Sequence, residues 1–172
     1  MNPALTLTMM DVRLAERAGS SRPLKVSKIT LPPVKFMTVN RNPGGGAMSI
    51  DTSMPRIEPL APGFDTYGPD DEFFSVLGLT DRWTFGCSYK KHNTHEVIPA
   101  RVIIEGVLNE WAMGDLDTGE AQIAAHVFTE VTHYEFSLDG VERFYADEEE
   151  IEIRKDGISL TAPHKRAAGL PT

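Results

Sequence analysis

The sequence predicts a mainly β protein: an antiparallel two-sheet sandwich or partly closed barrel, with one short flanking α-helix and a long mobile loop. Three observations predict it. Apolar and polar residues alternate through most segments from Leu24 onward. Two Asp-Gly pairs, in "LDGV" and "KDGI", separate such segments and suit two-residue hairpin turns with positive φ. Only one stretch, "PDDEFFSVLGL", carries a helix start and a helix stop.

The elements follow in order. Residues 1–23 form an N-terminal arm in which "ALTLTMMDVRLA" fits a strand or a short helix. "LKVSKITL" and "VKFMTV" read as strands, and Pro32-Pro33 between them imposes a bend or an edge. Residues 40–69 are a Gly/Pro-rich excursion with short strand candidates "AMSI" and "RIEPL". Its triplet Gly44, Gly45 and Gly46 reads as a loose hinge with access to positive φ. Over 70–78, Asp70 or Asp71 caps the helix, Phe73, Phe74 and Leu77 form its buried face, and Gly78 stops it.

"RWTFGCSYKK" alternates around Trp83, Phe85 and Cys87, and "VIPARVIIEGVLNEW" is a long strand. In "AQIAAHVFTEVTHYEFSL" the apolar phase changes. Ile123, Ala125, Val127 and Val131 share one face, whereas Tyr134, Phe136 and Leu138 share the other. A period of two requires a bulge or a sheet switch for that, placed near Thr132-His133. The turn Leu138–Val141 sets Leu138 opposite Val141 and Tyr134 opposite Tyr145; the second Asp-Gly turn pairs Ile153 with Leu160.

Composition bounds the function. The chain has 172 residues, enough for a single domain with a core and no staples. A formal charge of −8 argues against a protein that grips nucleic acid through phosphates. A single cysteine, Cys87, excludes an internal disulfide framework and fits synthesis in a reducing cytoplasm. The first residues show neither a signal peptide nor a membrane span.

No motif points to catalysis, a cofactor or a metal. The glycine triplet lacks the Lys-Ser/Thr and the helix of a phosphate loop. His92 and His95 sit in a polar turn without a third ligand. Cys87 follows Trp83 and Phe85 onto a buried face, which makes it an inert thiol. The run "ADEEEIEIRKD" lacks a calcium loop's spacing and reads as a solvated strand end or an acidic surface.

The order of the motifs adds a further expectation. "GGGAMSID" is followed by "DDEFFSVLGLTDRWTFGCSY", "EGVLNEWAMGDLDTGE", "HYEFSLDGVERFYAD" and the tail "HKRAAGL". Over roughly residues 28–170 this resembles the major tail tube protein family of contractile-tailed bacteriophages. The resemblance implies a non-enzymatic virion protein without cofactors. Six copies form a ring, and rings stack helically into a hollow tube that conducts the genome into the host. Its partners are other copies, the tail sheath, the tape measure protein, the baseplate and the tail terminator. Double-stranded DNA passes without specific binding, since an acidic lumen repels phosphates.

Within that frame, Gly44, Gly45, Gly46, Met48 and Ile50 form the expected assembly loop, which orders against a neighbouring copy. Glu105, Gln122, His126, Glu130 and Thr132 are the expected lumen residues. The face of Gln122, Ala124, His126, Phe128, Glu130 and Thr132 then looks toward water, opposite an apolar core face. A genome-free injection tube of a bacteriocin or type VI kind, and a monomeric ligand-binding β-barrel, are the alternatives.

Overall fold

In the computed structural model, which describes residues 4–15, 17 and 19–171, the strands are β1 (Leu5–Leu14), β2 (Val26–Thr30), β3 (Phe36–Arg41), β4 (Ile50–Ile57), β5 (Gly63–Tyr67), β6 (Thr80–Lys91), β7 (Val97–Met113), β8 (Ile123–Leu138), β9 (Val141–Asp147), β10 (Glu152–Lys155) and β11 (Ile158–Ser159). Two short helices join them, α1 (Asp71–Ser75) and α2 (Ala162–Ala167). Of the expected arm, residues 1–3, 16 and 18 lie outside the described residues. Residues 5–14 of it are strand, the first edge of the main sheet.

Nine strands form one antiparallel sheet in the order β1-β6-β7-β8-β9-β10-β11, with β5 also on β8 and β2 on β5. The sheet forks at β8. Its first half pairs β5 and the end of β7; its second half pairs β9 and the start of β7. The β2–β5 branch thus belongs to the same sheet as the main path, and no closed barrel forms. The separate second sheet is the two-stranded β3–β4 hairpin.

Cross-strand register builds the core row by row. Leu14, Trp83, Ile104, Tyr134, Ala146 and Ile153 align across six strands, and all are buried. Phe64 of β5 and Phe73 of α1 join this core, with ring centroids 5.2 Å apart and 5.9 and 5.5 Å from Trp83. Edge-on and tilted ring contacts of this kind add to the area they bury.

The faces of β8 are the reverse of those expected. Ala124, His126 and Phe128 are buried, whereas Ile123 is 46% exposed. A bulge does form: Glu105 pairs His133 but Val107 pairs Thr129, and Glu130 takes φ 51°. It adds two residues relative to β7, so parity survives, and Tyr134 stays on the face of Phe128. A side chain at the facing Gly106 would meet the Thr129 carbonyl at 3.1 Å, which explains the glycine. The phase change lies instead on β7. There Asn109 is the extra residue between the pairs Leu108–Phe128 and Glu110–Val127, and Trp111 moves to the face of His126.

Three other expectations need correction. Asp70 caps α1 by accepting from the Glu72 amide, and Gly78 has φ 78°, but the buried positions are Phe73 and Val76. Phe74 is exposed and meets Trp111 edge-on at 5.3 Å. The turn Leu138–Val141 forms with Asp139 at φ 55° and Gly140 at φ 74°. A bulge after Phe136 then places Tyr134 opposite Ala146, and Tyr145 opposite Glu135. Finally, α2 was not foreseen. Pro163 in its first turn and Gly169 at φ 71° after its end were the available signals.

Candidate assembly site

The excursion over 40–69 is not one loop. It holds the end of β3, a tip, all of β4 and then β5 of the main sheet. Arg41 pairs Ile50 and Val39 pairs Thr52, so Met37, Val39, Ile50 and Met54 share one face of the hairpin. All four are exposed. The other face is polar: Asn40 Nδ2 donates to Asp51 Oδ1 and Ser49 Oγ, both at 2.8 Å. An isolated two-stranded ribbon is marginal in water. This one offers an apolar face that the described residues leave open.

Gly44, Gly45 and Gly46 form its tip, along with exposed Met48. None of the three has positive φ. The Gly46 amide donates to the Pro43 carbonyl at 3.0 Å, closing a turn. A Cβ would meet nothing within 4 Å at Gly44 or Gly45, but would lie 2.7 Å from Pro43 Cγ at Gly46.

The five expected lumen residues do not share a surface. His126 is 1% exposed, its ring stacked on Phe64 at 4.4 Å. It is a core residue, which corrects its assignment to water. Burial lowers its pKa below the usual histidine value. Gln122 precedes β8, half-buried, and its carbonyl accepts from the Gly68 amide at 2.9 Å. Glu130 and Thr132 lie in the bulge and line a groove of about 680 Å³ at the base of the hairpin. Glu105 lies on the opposite, outer face of the main sheet, between Arg82 and His133 in register.

That outer face is polar and internally bonded. Arg82 reaches His133 Nε2 at 3.2 Å, and His133 Nδ1–H donates to Asp147 at 2.8 Å. Arg154 forks onto Glu142 at 3.1 and 2.9 Å and stacks 3.6 Å over the Tyr145 ring. Its hydrogen bonds hold the Glu142 carboxylate below the usual range. Burial, then the hydrogen bond to Glu150, push Tyr145 up to about 12. At α1, burial raises Asp70, but hydrogen bonds from Lys25 and Arg22 outweigh it and leave its pKa lowered. Arg22 also contacts Glu72, and so pins the segment before β2 to the helix.

The remaining polar candidates carry no reaction. His92 Nε2 is bonded to Thr6 Oγ1 at 2.7 Å. Cys87 is half-buried, and burial raises its pKa, away from the nucleophilic thiolate. Among the described residues there is no cluster of three or more His, Cys, Asp or Glu able to hold a metal, and no helix long and apolar enough to cross a membrane.

Comparison with known proteins gives one assignment. The model of the family Phage tail tube protein FII matches residues 18–169. A search of curated proteins finds no match to the chain. The match covers both sheets from β2 onward and both helices. The chain therefore belongs to the phage tail tube protein FII family, structural components of the phage tail rather than enzymes.

Proposed function

We propose that this protein forms hexameric rings that stack into the inner tube of a contractile phage tail, and that the tube conducts the genome during ejection. The observation that carries this reading is the β3–β4 ribbon, whose apolar face of Met37, Val39, Ile50 and Met54 is exposed among the described residues. Exposed contiguous apolar surface marks an interaction site. Family membership makes another copy the natural occupant. A further surface supports a ring: among the described residues β1 pairs only β6 and so has an open edge, and Leu5, Leu7 and Met9 on it are exposed. Pairing such edges around a ring removes the liability.

In this reading the outer face of the main sheet, with Glu105, lines the channel. The −8 charge of each copy keeps DNA from lingering there. The sheath, tape measure protein, baseplate and terminator are the other partners. Negative-stain microscopy and sedimentation of concentrated protein test the proposal. Rings and tubes are expected, and Met37, Val39, Ile50 and Met54 all changed to Ser should block them while circular dichroism stays unchanged. A protein that remains a 19.0 kDa monomer at every concentration refutes the reading.

A further inference from the structure

We infer that the tip of the β3–β4 hairpin of one copy docks in the groove at the base of the same hairpin in the next copy. The inference rests on the assembly reading above and names the receptor for the ribbon. The groove has a volume of about 680 Å³. Ile57, Val131, Ile151 and Ile153 give it an apolar lining, and Glu130 and Glu148 stand at it as carboxylates without an ion pair among the described residues. The other acids there are engaged: Glu58 by Lys35, Asp147 by His133 and Glu152 by Lys165. Arg56 offsets only one of the two free carboxylates.

The hairpin tip is the complement. At the tip its apolar face carries a cation, Arg41, level with Ile50 and next to Val39 on that face. Arg41 is exposed and has no ion pair among the described residues. Ile57 of the groove and Ile50 at the tip are the two ends of the eight-residue β4. Their partners on β3, Phe36 and Arg41, are five steps apart, so the two ends lie roughly 17 Å from each other. The tip therefore cannot fill the groove of its own copy, and the occupant is a second copy.

Two groove residues are also held in disfavoured backbone. Glu130 and Ile151 both have φ 51°, and left-handed φ is a genuine outlier for a β-branched residue. Such strain persists where the surroundings over-determine it, often at ligand clamps. A tip-to-base contact is heterologous. Each copy keeps one tip and one groove, so the contact can be repeated from copy to copy, and the rotation between copies decides whether it closes into a ring or continues along an axis.

A charge swap and a cross-link test this. Arg41→Glu and Glu148→Arg should each raise the critical concentration for tube growth by about tenfold, and the pair together should restore most of it. In a Cys87→Ser background, Ile50→Cys with Val131→Cys should give disulfide-linked multimers from assembled tubes. Neither rescue nor cross-linking overturns the tip-to-base contact. If the four-Ser hairpin variant still blocks assembly in that case, the ribbon remains the assembly element and only its receptor is wrong. If the four-Ser variant assembles normally, the assembly reading itself fails.

Discussion

His126 shows how a single side chain decides the reading of a strand. Its ring is parallel to Phe64 at 4.4 Å and lies 5.8 Å from Phe73. Nδ1 sits 3.3 Å from the Phe64 carbonyl, which can only accept, so Nδ1 carries the proton; Nε2 is buried without a partner. A charged imidazole would be costly there, and burial accordingly lowers its pKa below 6.5. The sign follows. Below pH 6.5 the unfolded chain binds the proton first, so stability falls as pH drops from 6.5 toward the folded value. His126→Phe should change stability at pH 8 by less than about 1.5 kcal/mol, since an aromatic ring of similar shape replaces another. It should also flatten the loss of stability as pH falls below 6.5. Denaturant titrations of both proteins across that range check this, and an unchanged slope would mean that other groups govern it.

At the scale of elements, the turns were readable and the faces were not. Asp-Gly between alternating segments favours a two-residue turn with positive φ at both positions, so both hairpins could be placed from local chemistry alone. Gly140→Val forces a β-branched residue to φ 74° and should cost about 1–3 kcal/mol, seen as a lower melting temperature. An unaltered melt would contradict the turn geometry. The faces of β8 depend on neighbours. Counting His126 and Glu130 as polar made the even positions look wet, but β5 and α1 supply the aromatic rings that accept an imidazole. The two-residue bulge and the extra Asn109 on β7 are likewise products of pairing, invisible in either strand by itself. Strand β4 was hidden among prolines and glycines because only one of its faces is apolar, and neither face is buried. The tip glycines now separate. Gly44→Ala with Gly45→Ala meets no atom within 4 Å and should leave tube growth near wild type, whereas Gly46→Ala pushes on the Pro43 ring at 2.7 Å and should slow it. Turbidity or light-scattering growth curves distinguish them, and equal curves would show that the tip's shape does not matter.

At the scale of the whole molecule, the structure divides residues that the sequence had grouped as one channel lining. Glu130 belongs to the groove beside the hairpin, and Glu105 to the outer face of the main sheet. Contact and conduction can therefore be perturbed separately. Glu105 has Arg82 and His133 as cross-strand neighbours, and His133 is already committed to Asp147. Glu105→Lys adds a cation to a solvated sheet face without removing an ion pair among the described residues. If that face lines the channel, every ring gains a circle of positive charge, and phosphates passing it are attracted rather than repelled. Rings and tubes should form normally, while DNA ejection from reconstituted particles slows. The slowing should grow at low salt, because the Debye length rises from about 10 Å at 0.1 M to about 30 Å at 0.01 M. Glu130→Lys should behave oppositely: it reverses a groove carboxylate, weakens tube growth, and leaves ejection from the tubes that do form at its normal rate. Ejection kinetics measured at several salt concentrations decide the matter. A Glu105→Lys tube that ejects at wild-type rate at all of them would place the outer face away from the channel, toward the sheath.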